Sequence, residues 1–274
     1  MKNPSMVAFS LDMTIVPAQY AEGQTDIFAA YGQYTKAILS ALRQTVPAVR
    51  FDFASFALQG STGLKLLIEL LDAAEEMGYY LLLDVPAVYA KQGAELSADA
   101  LFQNWKFDGL VLNCYIGSDG VKPYIERIKD NGKDLFIALR TANKSASEMQ
   151  DLLTGTRLAY TVAADMAKRL GEDFVSRSGY SRIAGMGPAT SPEALQNLRS
   201  KYPAMFLLID GYDYSGANAK NCSLAFDKLG HGAIACTAEG ILAAWKESDG
   251  DGVTLAVEAA ERMKKNLLRY ITIL

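Results

Sequence analysis

Groups able to move protons or hold charge recur along this chain at the ends of short apolar runs. Asp84 closes "YYLLLD", Asn113 closes "GLVLN" and Arg140 closes "LFIALR". Asp210 ends "FLLID" with Asp213 three residues on, and Glu239 stands two residues beyond Thr237. Asp12 follows the first apolar run, and Arg50 and Asp52 share the second. A carboxylate fixed beside a guanidinium can act as an acid or base, and several carboxylates together call for a divalent metal or a cationic substrate, because clustered anions repel unless a cation offsets them. Read blandly, some of these residues are helix caps or salt bridges inside a barrel. The even spacing of Arg50 and Asp52 places both on one side of their strand.

Such groups need a scaffold that presents strand ends side by side. The apolar runs Val7–Asp12, Val49–Ala54, Tyr79–Asp84, Gly109–Asn113, Leu135–Arg140, Arg182–Met186, Phe206–Asp210 and Ala233–Thr237 read as buried parallel strands, too short for helices and rich in Val, Ile, Leu and Phe. Amphipathic stretches separate them. "STGLKLLIELLDAAEEMG" carries a Ser/Thr cap and stops at Gly78, "SPEALQNLRSKYP" has Ser191 at the cap and Pro192 in the first turn, and "GVTLAVEAAERMKKNLLRYI" closes the chain as a long helix. Eightfold alternation predicts an α/β fold, a (β/α)8 TIM barrel forming a single domain over residues 1–274, with its working groups at the C-terminal strand ends. A doubly wound open sheet is the competing architecture, but no GxGxxG or P-loop pattern supports it.

Composition narrows the function classes. A net charge of −4 leaves no basic footprint for nucleic acid. No apolar run reaches the roughly 18 residues that span a bilayer, and the N-terminus lacks a signal-peptide pattern. Cys114, Cys222 and Cys236 are too few and too scattered for a disulfide framework or a zinc site, so reduced thiols and a cytoplasmic location are expected.

Several segments resemble the longer bacterial class of orotidine 5′-phosphate decarboxylases. "FDGLVLNCYIGSDGVKPYI" carries Asn113, Tyr115, Gly117, Asp119 and Pro123. "LFIALRTANKSASEMQDL" carries Arg140, Thr141, Asn143, Gln150 and Asp151, and "GPATSPEALQNLR" carries Ala189, Thr190, Pro192, Glu193 and Arg199. "AVRFDFASFALQG" is similar to the second strand, with Arg50 where the family carries lysine. The resemblance implies a homodimeric barrel that decarboxylates orotidine 5′-phosphate to uridine 5′-phosphate in pyrimidine biosynthesis, without cofactor or metal.

The same alignment exposes departures. The family's pattern Asp-x-Lys-x-x-Asp ends the third strand, its lysine protonating the carbon that loses carbon dioxide. Here the stretch is "DVPAVY": Asp84 survives, Pro86 stands at the lysine position and Tyr89 at the second aspartate. The family holds its phosphate with a Gly-rich loop after the seventh strand and an arginine after the eighth. Gly211 and Gly216 remain, but Asp210, Asp213 and Ser215 replace the usual Pro, Gly and Gln, Glu239 stands at the arginine position, and Ala142 replaces a serine. An anion in place of a cation about 4 Å from a phosphate reverses an interaction of about 4 kcal/mol at an effective dielectric near 20.

The expected site therefore has Asp84 as the sole survivor of the catalytic pattern. Asp12, Arg50, Asp52, Asn113, Thr141, Asn143, Gly211, Gly216 and Glu239 face a small-molecule ligand, nucleotide-like or cationic. Three readings stay open: a barrel that has lost decarboxylation, a different enzyme using the carboxylate-rich rim with or without a metal, and a decarboxylase with an unorthodox proton donor such as Lys91. On the first two, Asp210, Asp213, Glu239 and Asp12 gather into one acidic group.

Overall fold

The computed structural model describes residues 3–23, 26–86 and 89–271. Eight parallel strands close into a barrel: β1 (Ser5–Phe9), β2 (Ala48–Asp52), β3 (Tyr80–Asp84), β4 (Gly109–Asn113), β5 (Asp134–Ala138), β6 (Ser181–Pro188), β7 (Met205–Asp210) and β8 (Ala233–Thr237). They pair in chain order, and β8 closes on β1, with Met6 opposite Cys236. The main helices are α1 (Ile27–Leu42), α2 (Gly60–Glu76), α3 (Gln92–Asn104), α4 (Ser118–Asn131), α5 (Ala159–Leu170), α6 (Pro192–Lys201), α7 (Ala219–Ser223) and α8 (Gly252–Ile271). The expected TIM barrel is therefore the fold, and among the described residues no helix is long and apolar enough to cross a membrane.

The strand period of two sorts each run into two cores. Phe9, Val49, Phe51, Leu81 and Leu83 point outward and pack against the helices; Phe9 and Phe51 stack with centroids 5.2 Å apart. The alternate residues Met6, Ala8, Ala48, Leu82, Phe136, Met186, Leu208 and Cys236 fill the barrel interior. Arg50, Asp52, Asp84 and Asp210 fall on this inward phase, one layer above the apolar filling.

Strand β5 ends at Ala138, short of the expected Arg140, and β6 runs two residues past the expected Met186; three other shifts have a local reason. β1 ends at Phe9 rather than Asp12, because the Asp12 carboxylate accepts from Thr14 N (2.8 Å) and caps a 3-10 turn. β2 ends at Asp52 rather than Ala54, because Asp52 accepts from Ala54 N and Ser55 N and starts the short helix Phe53–Ala57. Helix α2 begins at Gly60 with Gln59 ahead of it and no side-chain cap, so Ser61 and Thr62 lie inside the helix. Ser191 does cap α6 through Ala194 N, with Pro192 in the first turn.

Candidate functional site

At the C-terminal end of the barrel, Arg50 reaches from β2 across the interior. Its Nη1 lies 2.9 Å from Asp210 Oδ1 on β7, and its Nε lies 3.8 Å from Asp84 Oδ2 on β3. A third contact places Nη1 3.7 Å from Met186 Sδ. The side chain is mostly covered, and its buried Nε has no hydrogen-bond partner among the described residues. Burial opposes its charge, but Asp210, the Cys236 thiol and Asp84 outweigh that, so its pKa is raised. One cation thus sits between two carboxylates, all three side chains only partly exposed.

The price of that arrangement falls on Asp84. Burial pushes its carboxyl up to about 6; Arg50 pulls it down, and Asp52 and Asp210 push it up again. The folded carboxyl holds its proton to about pH 6, whereas an unfolded aspartate releases it near 4. Between these values the native state binds more protons, so this group's contribution makes stability fall as pH rises from about 4 to about 6. We expect the Asp84 carboxyl carbon to titrate near 6 by NMR, and Asp84→Asn to remove its share of that stability slope. A midpoint at or below 4 would contradict the desolvated placement.

Beside this triad is a cavity of about 340 Å³ built from the loops after β5, β7 and β8. Asp210, Asp213 and Glu239 supply its charges, Asn143, Thr237, Tyr212 and Tyr214 its neutral polar groups, and among the described residues no Lys or Arg lines it. The β7 loop is tightly folded. Gly211 takes φ +85°, where an added Cβ would come within 2.7 Å of Ala142 Cβ. Asp213 and Ser215 hold φ 65° and 49°, conformations that L side chains rarely adopt. Several backbone N–H groups bond within the loop or to its neighbour: Tyr212 N to Cys236 O, Asp213 N to Ala217 O, Tyr214 N to Gly211 O and Ala217 N to Tyr214 O. Those donors do not point at a ligand. Burial raises the Asp213 carboxyl to about 6, Arg262 of α8 pulls it down and Glu247 pushes it up.

The remaining expected site residues are distributed more widely. Asp12 and Asp52 serve as the caps described above, and Asp12 lies outside the cavity lining, so the acidic group does not close around β1. Asp52 still acts on the triad through its charge. Exposed Asn113 accepts from Tyr115 N at 2.8 Å. Thr141 donates to Asn143 Oδ1 at 2.6 Å, and its backbone N donates to Gln150 at 2.8 Å. Gly216 shapes the β7 loop at φ 82° without lining the cavity. Arg140 forms a two-pronged bridge to Asp151, both contacts 2.8 Å, that ties the β5 loop to its strand. Among the described residues no group of three or more His, Cys, Asp or Glu converges to hold a metal ion, which leaves the metal form of the acidic-rim reading without a ligand set there. Met186 and Arg262 were not legible as site residues. They carry no motif and meet the acids only through barrel closure and helix packing.

No family model matches the chain. The orotidine 5′-phosphate decarboxylase of Clostridium acetobutylicum is 31% identical over 240 residues, covering 87% of this chain and 84% of the relative. The chain belongs to the orotidine 5′-phosphate decarboxylase family. Solved structures agree at the level of fold. The OMP decarboxylase of Leishmania donovani superposes with a TM-score of 0.77 at 20% identity, covering 99% of this chain and 95% of that one. The orotidine 5′-monophosphate decarboxylase of Methanocaldococcus jannaschii, complexed with the inhibitor BMP, gives 0.65 at 15% identity, covering 95% and 98%.

Within this decarboxylase family the departures take on positions. Pro86 is exposed, directly after buried Val85 at the end of β3. Ala87 and Val88 of the "DVPAVY" stretch lie outside the described residues, and Tyr89 is 54% exposed. Lys91 has an exposed side chain and precedes α3 with φ 46°. Glu239 opens the short helix Glu239–Leu242 at the rim of the cavity.

Proposed function

We propose that this member of the family has lost orotidine 5′-phosphate decarboxylation and binds a neutral or cationic small molecule at the C-terminal mouth of its barrel. The observation that carries the reading is the cavity beside Arg50, lined by Asp210, Asp213 and Glu239 and, among the described residues, by no cation. A phosphate dianion there would meet three carboxylates and a loop in which the N–H groups of Tyr212, Asp213, Tyr214 and Ala217 already bond backbone carbonyls. A ligand carrying an amine or a neutral carbonyl fits better. It adds no negative charge to the three carboxylates. The family resemblance favours a nucleoside-like shape. A different enzyme on the same scaffold is the second reading, and the setting of Asp84 favours it: burial pushes its carboxyl up to about 6, toward the range an acid–base group uses.

A thermal-shift series with uridine, orotidine, their 5′-phosphates and small amines tests the proposal. A ligand present at 100 times its dissociation constant adds about 2.7 kcal/mol to stability. Unphosphorylated or cationic compounds are expected to shift the melting temperature and the nucleotides are not. The variant Glu239→Arg, combined with Asp213→Gly so that the new guanidinium is not neutralised in place, is expected to gain uridine 5′-phosphate binding. Micromolar binding of that nucleotide by the wild type would overturn the charge argument.

The proposal extends to a cytoplasmic homodimer joined through the same end of the barrels. Leu58, Tyr89, Tyr115, Leu153 and Tyr214 are large, more than half exposed, and all lie in connections that leave C-terminal strand ends. An apolar rim of this kind favours a partner surface. Sedimentation at micromolar concentration is expected to give a dimer, and Tyr115→Glu with Leu58→Glu a monomer; a wild-type monomer would remove the idea.

A further inference from the structure

The opposite end of the barrel holds a second cavity, of about 390 Å³, larger than the one at the C-terminal mouth. In this fold the N-terminal end is ordinarily closed by packed side chains. Here Ala48 and Ala184, both on the inward phase, place methyl groups where bulky branched residues would fill the layer. Aromatic rings wall the space: Phe136 and Phe206 meet edge to face at 6.3 Å and 86°, and Tyr180 meets Phe206 at 6.0 Å and 85°.

One polar corner interrupts the apolar wall. Half-buried Tyr80 donates to Asp134 Oδ2 at 2.8 Å, and Arg182 Nε donates to Asp134 Oδ1 at 3.1 Å. Arg182 also donates to the carbonyl of Lys133. The Arg and the Asp neutralise each other, so the corner offers hydrogen bonding without net charge. At the mouth, the hydroxyls of Ser176 and Ser178 lie 2.7 Å apart. A mostly apolar concavity of several hundred Å³ with a few convergent polar groups is the usual form of a small-molecule site. An apolar cavity of about 150 Å³ already takes benzene, so this one has room for two fused rings.

We propose that the N-terminal mouth of the barrel is a binding site for a neutral, flat aromatic molecule of one or two rings carrying a single hydroxyl or ring N–H. The rings would pack against Phe136 and Phe206, where edge-to-face contact adds to area burial. The polar substituent would reach the Asp134–Arg182 corner. An anion finds no unneutralised cation there, and a cation no unneutralised acid. The site is independent of the C-terminal mouth: none of its lining residues is shared with that cavity.

Titration of the full chain with 2-naphthol and indole, followed by NMR of the phenylalanine rings and by melting temperature, tests this. Both probes are expected to bind, to shift Phe136 and Phe206 resonances and to raise the melting temperature. Naphthalene-2-sulfonate is expected to bind at least tenfold more weakly. Ala48→Leu and Ala184→Leu each fill part of the cavity and are expected to weaken binding tenfold or more. If one variant fails to fold, the other carries the comparison, and Ser178→Trp at the rim provides a third block outside the packed layer. Absence of saturable binding at millimolar probe, binding undiminished in the folded variants, or preference for the sulfonate would overturn the proposal.

Discussion

Purified protein supplied with orotidine 5′-phosphate is expected to release no carbon dioxide above background. The reaction that the family resemblance implies develops negative charge on carbon as carbon dioxide leaves, and needs a fixed cation and a proton donor at that atom. Pro86 occupies the lysine position and has neither. General-acid catalysis contributes about 10²–10⁴ in rate, and a single preorganised electrostatic donor about 10²–10³. Their joint loss puts the residual rate on the order of 10⁴–10⁷ below that of an intact site. Arg50 does not substitute. It is buried between Asp84 and Asp210, and a guanidinium holds its proton far too tightly to give it to a carbanion. Substrate binding is disfavoured as well, since the cavity carries Glu239 and Asp213 where the family's pattern has arginine and glycine. A continuous ultraviolet assay and release of labelled carbon dioxide measure the same outcome. Turnover of about 1 per second or more, an ordinary enzymatic rate, would show that another donor works here.

The second large effect concerns stability. Arg50→Met keeps the length and much of the volume of the side chain but leaves Asp84 and Asp210 facing each other with no cation between them. Removing one partner of a buried ion pair costs about 3–5 kcal/mol. For a chain of this size that corresponds to a fall of roughly 6–20 °C in melting temperature. The deficit should shrink as pH falls, beginning above pH 6, because losing Arg50 removes the charge that pulls the Asp84 carboxyl down, and protonating Asp84 removes one of the stranded charges. Arg50→Lys, which restores the family's residue, should recover much of the loss, and Asp84→Asn added to Arg50→Met should recover part of it. Urea denaturation at pH 5 and pH 7.5 separates these outcomes. A loss below about 1 kcal/mol at the higher pH would mean that water reaches the triad freely.

The two effects separate what the local chain decides from what assembly decides. The barrel was legible because its code is local: eight short apolar runs of strand length, each followed by an amphipathic stretch. The loss of the lysine was equally legible, since a proline has no proton to give in any fold. Boundaries were less so. Asp12 and Asp52 look like strand-end acids until the backbone turns and their carboxylates meet the N–H groups just ahead.

The sequence by itself determined the architecture, the shared strand face of Arg50 and Asp52, and the departures at Pro86, Tyr89 and Glu239. Only the tertiary structure decided which acid meets which base. Arg50 and Asp210 are 160 residues apart in the chain and meet because β2 and β7 project inward at one end of a closed barrel. The raised pKa of Asp84 likewise needs the dry space that eight strands enclose together. The cavity at the N-terminal mouth exists because Ala48 and Ala184, unremarkable in the sequence, fall on the inner face among aromatic rings from other strands. Periodicity is set by neighbouring residues. Partners, desolvation and empty volume arise only when distant strands are brought into register.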